Sequence, residues 1–337
     1  MNKAVLFLVF NRPDETLAVF RRIREAAPPR LYIASDGPRP NKKGEKEIVL
    51  GLRGKLIERI DWPCEVRTRF NQDNLGCGKS VASAISWFFE NEKDGIILED
   101  DCLPSISFFR YCEELLDRYK DDLRIFHIGG TNPLSRQPDC DESYYFAKVP
   151  HVWGWATWAD RWKHYDLDYF TKLESGSLDD KLSVISDNPR VQSYWKKIVL
   201  RMQSPTPVDT WDYMWAFHIM MNQLLCINPT YNLVCNIGNS GAHFSVGAEN
   251  NQLFKDTYEL DHLVHPTEIK LNQALVHAHF HEYLREENNY TITSYTIKCK
   301  LFWILPFLRI KIRSRVLRIY FMGVPILRIE RQFLQNI

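Results

Sequence analysis

The sequence holds no C-x-x-C pair and no ladder of even spacings among its eight cysteines, Cys64, Cys77, Cys102, Cys112, Cys140, Cys226, Cys235 and Cys299. They read as buried thiols in a reducing compartment. It has no glutamine, serine or glycine tract, which excludes a disordered or low-complexity chain, and no internal repeat. Long apolar runs are missing too. The opening "NKAVLFLVFNRPDET" is too short and too charged at its flank for a spanning helix and lacks a small-residue cleavage site, so Met1 is read as the start of a cytoplasmic protein. Net charge is only +1, yet Tyr295 to Ile337 carries nine Lys/Arg against one acid, leaving −7 on the rest. A net-acidic main body argues against nucleic acid as a partner.

What is present is a globular chain of 337 residues, rich in aromatics and long enough for two packed halves. "AVLFLVF" (Ala4 to Phe10) is the continuous apolar run of a strand buried on both faces, and Pro13, Asp14 and Glu15 open a helix behind it. Leu31 to Ser35 and Cys64 to Phe70 read as two more strands. Val81, Ala84, Ile85, Phe88 and Phe89 then mark an amphipathic helix, Lys79 to Glu92, and Gly95 to Leu98 a short buried strand. A helix through Phe108, Cys112, Leu115 and Tyr119 and the strand "RIFHIGG" follow. Alternating strands and helices predict a doubly wound α/β domain whose ligands sit beyond the carboxyl ends of the strands. Asn11, Asp36, Asn74 and Glu99-Asp100-Asp101 fall at such ends.

The stretch "QDNLGCGKS", Gln72 to Ser80, has the glycines, lysine and serine of a phosphate-binding loop. The pattern G-x-x-x-x-G-K-[ST] requires a glycine where Asp73 stands, and an aspartate there would put negative charge into the cradle. A nucleotide hydrolase, with "IILEDD" as its second motif, stays an alternative, beside the plain reading of a glycine-bearing connection into a core helix. Three adjacent acids at a strand end repel one another, which makes them a seat for a hard divalent cation, magnesium or manganese, holding a diphosphate.

A buried strand ending in "EDD" after three strand-helix units resembles the D-x-D-type signature of nucleotide-sugar glycosyltransferases of the GT-A fold. The order of motifs is similar to that of the N-acetylglucosaminyltransferase I family. "GIILEDDCLPSISFF" resembles that family's strand, acidic triplet and following helix, and "YYFAKVPHVWGWATWADRW" its aromatic loop leading into a Trp-rich helix. "DTWDYMW" resembles its "F-W-D-D-W" segment, and "CINPTYNLVCNIGNSGAHF" its closing motif. Related bacterial surface-polysaccharide glycosyltransferases often end in basic, apolar tails. The likeness runs from Ala4 to Phe244, and it departs from the family at Tyr213, where the second acid of "W-D-D-W" is expected, and in having no anchor or stem.

The resemblance implies a GT-A (Rossmann-like) α/β fold, a mixed sheet with helices on both faces, plus a basic C-terminal extension. It implies metal-dependent, inverting transfer of a hexosyl or N-acetylhexosaminyl group from a nucleotide-diphosphate sugar to a glycan or lipid-linked glycan. Carried over by position, Asp101 is the metal ligand, Glu99 and Asp100 lie near the nucleoside and ribose, Arg12 faces the diphosphate and Asp36 the base. Lys79 and Ser83 touch the nucleotide. Asp212 is the general base, desolvated by Trp211, Met214 and Trp215, while Asp209 fits better as a cap to the helix that follows it. Trp153 and Gly154 line the donor pocket, Trp158 and Trp162 are buried, and His243 binds the diphosphate or completes the metal shell. A carbohydrate-binding protein on the same fold is the non-catalytic alternative.

These readings divide the chain into a nucleotide-sugar-binding half, 1–130, an acceptor-binding half, 131–290, and a tail, 291–337. The tail interleaves arginines with apolar residues, and its longest apolar run, Leu301 to Leu308, is too short to span a bilayer. It suits an anionic membrane surface, the inner face of the cell membrane, or packing against protein.

Overall fold

A computed structural model of the chain describes residues 1–132, 141–173, 176, 178–238 and 256–276, and the backbone of four later strands. Residues Met1–Phe280 form one compact unit and His281–Ile337 a second.

Strand β1 (Ala4–Val9) is apolar throughout because both its faces are covered. Val5, Phe7 and Val9 enter one core cluster, and Ala4, Leu6 and Leu8 enter another on the opposite face, as the two-residue period of a strand requires. Pro13 fixes the first turn of α1 (Pro13–Ala26), with Asp14 and Glu15 beside the positive end of the helix dipole. There follow β2 (Arg30–Ser35), α2 (Glu45–Glu58), β3 (Glu65–Phe70), α3 (Cys77–Phe89) and β4 (Asp94–Glu99). Next come β5 (Cys102–Pro104), α4 (Ile106–Tyr119), β6 (Ile125–Gly129), β7 (Tyr144–Ala147), β8 (Trp155–Trp158) and α5 (Ala159–Trp162). Helices α6 (Leu178–Ile185), α7 (Pro189–Met202) and α8 (Asp212–Met221) precede β9 (Leu225–Pro229) and β10 (Val234–Asn236).

The main sheet has eight strands in the order β3-β2-β1-β4-β8-β6-β9-β7. β3, β2, β1 and β4 are parallel; β8 inserts antiparallel between β4 and β6, and β7 closes the sheet antiparallel to β9. Residues of α1, α2 and α4 pack in the first cluster, and those of α3, α5 and α8 in the second. This is the mixed α/β sheet with helices on both faces expected of a GT-A-like fold. Its strands come from both sides of residue 130.

Three local readings shift. The amphipathic helix starts at Cys77 and ends at Phe89, because its first turn receives a cap described below. Helix α2 had no clear signal: Val49, Leu52 and Leu56 make its buried stripe, but Arg53 shares that stripe and turns inward to the carbonyls of Ser35, Asp36 and Asn71. Six cysteines of the described residues are free thiols, but Cys77 is exposed, whereas Cys102, Cys112, Cys226 and Cys235 are buried. No helix among the described residues is long and apolar enough to cross a membrane. In the second unit, β11 (Tyr295–Ile297), β12 (Leu308–Arg313), β13 (Val316–Phe321) and β14 (Val324–Glu330) pair in order as an antiparallel sheet.

Packing between α3 and β4 is tight at Gly95, where an added Cβ would lie 2.3 Å from Phe88 Cζ and 3.1 Å from the Ala4 carbonyl. Gly95→Ala is therefore expected to destabilise the fold by about 1–3 kcal/mol through overpacking. Urea unfolding checks this, with a lower midpoint at an unchanged slope.

Candidate active site

The parallel strands deliver their carboxyl ends to one edge, and β4 brings three acids there. Asp100 and Asp101 lie in the turn between β4 and β5, and both meet Arg12. Asp100 is buried; its Oδ2 accepts the Phe10 N–H at 3.1 Å and its Oδ1 the Arg12 guanidinium at 2.8 Å. Arg12 also donates to Asp101 Oδ2 at 2.9 Å, so the end of β1 and the end of β4 are joined through one cation. Glu99 is the last residue of β4, near enough to Asp212 for that charge to act on it.

Burial, then the charges of Asp101, Asp100 and Asp212, push the Glu99 carboxyl up to about 8, with Arg12 opposing. Burial and Asp101 raise Asp100 to about 6 against the pull of Arg12 and the Phe10 N–H. Both follow from taking carboxylates out of water beside other carboxylates.

Strand β10 pairs with β5 and carries the chain past Asp101, whose carbonyl accepts the Ile237 N–H at 2.8 Å. At Gly238 a Cβ would come within 2.7 Å of Asp101 Oδ2. Gly238 therefore packs directly against Asp101, with no room for a side chain between them. Among the described residues Arg12 is the one charged partner of Asp101 Oδ2 in hydrogen-bond range. A hard divalent cation is bound by one or two carboxylates plus substrate phosphates, and this donor set fits one. No cluster of three His, Cys, Asp or Glu positioned for a metal occurs among the described residues.

The stretch Gln72–Ser80 meets protein carboxylates where a phosphate loop would meet phosphate. Asp36, buried at the end of β2, accepts the Leu75 N–H at 3.0 Å and the Gly76 N–H at 3.1 Å, besides Gly37 N–H and the amides of Asn71 and Asn74. Asp209 accepts the Cys77 N–H at 2.7 Å and the Gly78 N–H at 2.8 Å. Four successive amides are satisfied from within the chain, which argues against the phosphate-loop alternative. The cap expected of Asp209 exists, but it serves α3 rather than its own helix α8. The carboxylate of Asp36, read from the resemblance as a base contact, is taken up by this loop.

Other predicted residues scatter. Lys79 is exposed on α3, and the Ser83 hydroxyl donates to the Ser80 carbonyl one turn back. Asp212 is the first residue of α8, half-buried, and accepts a hydrogen bond from the hydroxyl of buried Thr210. Trp211, Met214 and Trp215 beside it are buried as expected, and so are Trp158 and Trp162. Trp211 stacks on Trp155, with centroids 5.5 Å apart. Gly154 has φ +65°, but the close approach it permits is to Val234 Cγ2, 2.7 Å from a Cβ there, and to Leu98. Trp153 is half-buried against the core, and its carbonyl accepts the Thr131 hydroxyl. His243 lies outside the described residues. The structure therefore brings together Arg12, Glu99, Asp100, Asp101 and Asp212, and adds Thr210 and Gly238, which sequence reasoning missed. "NIGNSG" held a signal for Gly238; Thr210 had none.

No protein family and no curated protein matches the chain. Among solved structures it is similar to HddC from Yersinia pseudotuberculosis, at 12% identity over 51% of this chain and 87% of that one, TM-score 0.32. It is also similar to a UDP-glucose pyrophosphorylase in complex with UDP-glucose, at 11% identity over 69% of this chain and 92% of that one, TM-score 0.34. Likenesses this distant decide nothing about activity. The fold rests on the strand order and the site on its own geometry.

The raised Glu99 carboxyl has a consequence for stability. Between its ordinary value of 4.5 and about 8 the folded state holds a proton that the unfolded state has released. Stability is therefore expected to fall as pH rises through that window. Glu99→Gln should remove this part of the slope, as read from unfolding free energies at a series of pH values. An unchanged slope in the variant would contradict the assignment.

Proposed function

We propose that the protein is a metal-dependent inverting glycosyltransferase that uses a nucleoside diphosphate sugar. The observation that carries this is the joining of Asp100 and Asp101 by Arg12 at the carboxyl end of β4, with Asp212 close enough for its charge to act on Glu99. Charge builds up on the diphosphate as it leaves the sugar, so the site needs cations there and a base on the acceptor side. Asp101 holds the divalent ion, magnesium or manganese, which when bound offsets the charge of the departing diphosphate. Arg12, anchored by Asp100, directs its guanidinium to the same phosphates. Asp212 takes the proton from the acceptor hydroxyl, with Thr210 fixing one of its oxygens so that the other faces the acceptor. Glu99 lies near the nucleoside and ribose of the donor.

The acceptor is a glycan or lipid-linked glycan, and the setting is surface-polysaccharide synthesis at the cytoplasmic face of a bacterial membrane. Free thiols and the basic tail support that placement. Each basic residue near an anionic surface adds on the order of 1 kcal/mol. The purified chain is expected to sediment with anionic vesicles at low salt and to be released at high salt; failure to sediment would remove the membrane contact.

A donor panel tests the chemistry. With UDP-, GDP-, TDP- and CMP-sugars and with ATP and GTP, each with and without manganese, one nucleoside diphosphate is expected to be released from one sugar donor. Asp101→Ala should abolish release, and Asp212→Asn should lower turnover roughly 10²–10⁴-fold with donor affinity kept. Triphosphate turnover lost on changing Lys79 would instead establish the hydrolase, and no turnover of any donor would favour a binding protein.

A further inference from the structure

The glycines of "LGCGKS" are explained by a distant part of the chain. A Cβ on Gly76, which has φ +84°, would lie 2.4 Å from Asp209 Oδ2, and one on Gly78 would lie 2.8 Å from the Thr210 carbonyl and 3.1 Å from Asp209 Oδ1. The segment Asp209–Thr210 therefore beds directly onto the first turn of α3, and the two glycines leave room for it. Asp209 then closes the joint with both oxygens, taking the Cys77 and Gly78 N–H groups. A carboxylate at this helix start also meets the positive end of the dipole.

What the joint holds is the start of α8. Asp209 is followed by Thr210, whose hydroxyl bonds Asp212, and by Trp211, whose carbonyl accepts the Tyr165 hydroxyl at 2.9 Å. On its far side the loop before α3 is fastened by Asp36 to the end of β2. An unbroken path of short bonds thus runs from the central sheet through α3 to Asp212.

We propose that Asp209 is a positioning residue, which by capping α3 from a distance sets where Asp212 stands relative to the β4 carboxylates. The proposal rests on the assignment of Asp212 as base. Without the clamp the 208–216 segment loses its fixed seat, and a displacement of about 1 Å at a reacting group can cost roughly 10²-fold in rate.

The test uses the full chain as Asp209→Ala, Asp209→Asn, Asp212→Asn and the Asp209→Ala/Asp212→Asn pair. Hydrogen exchange, which needs no substrate, is expected to rise in residues 75–80 and 208–216 of Asp209→Ala and to stay unchanged in the strands of the main sheet. With the donor turned over in the panel, Asp209→Ala should lose roughly 10²-fold in kcat at unchanged donor KM. Asp209→Asn, which keeps one acceptor oxygen, should recover part of the loss. The double variant should be no slower than Asp212→Asn. Unchanged exchange at 208–216, a general rise across the sheet, or losses that multiply in the double variant would each overturn the proposal. Full turnover in Asp212→Asn alone would remove the base assignment, and with it this role, by a result distinct from the exchange measurement.

Discussion

Too much negative charge leaves the end of β4 for the cations that face it. Ionised carboxylates at adjacent positions cannot all be withdrawn from water without partners. The fold resolves this differently for each. The Glu99 carboxyl is pushed up to about 8, Asp100 is buried against the Arg12 guanidinium and the Phe10 N–H, and Asp101 shares Arg12 while packing against Gly238. Among the described residues one guanidinium faces this group, which is why the proposed function places a divalent cation there.

The same edge is built by satisfying backbone amides from afar. The first turn of α3 is capped by Asp209, and the first turn of α4 by Glu259, which accepts the Ile106 and Ser107 N–H groups at 2.9 and 2.8 Å. Neither helix has a side-chain cap of its own. Each cap ties a late segment of the chain to an early helix, and the first of them fixes the segment that carries Asp212. The price of that rigidity is that the amides of Leu75 to Gly78 are already taken.

Much of this was legible in residues taken in order. The parallel strands announced themselves because burial on both faces demands unbroken apolar runs, and the acidic triplet marked the site because such a cluster is costly at a strand end. Strand β8 did not, since "WATW" has no period to distinguish an inserted antiparallel strand from an aromatic loop. Helix α2 hid because Arg53 occupies its buried stripe. The glycines at 76 and 78 suggested phosphate, and only spatial neighbours far along the chain show that they make space for Asp209 and Thr210. Sequence spacing carries local geometry well, and it carries no record of capping across the fold.

Where the diphosphate sits is the most direct question to put to the protein. A crystal structure grown with manganese and a nucleoside diphosphate answers it. The account predicts the diphosphate beside Asp101 and Arg12, with Asp209 still bonded to Cys77 and Gly78. Phosphate oxygens on the amides of Cys77 and Gly78, with Asp209 displaced and nothing bound at Asp101, would contradict it.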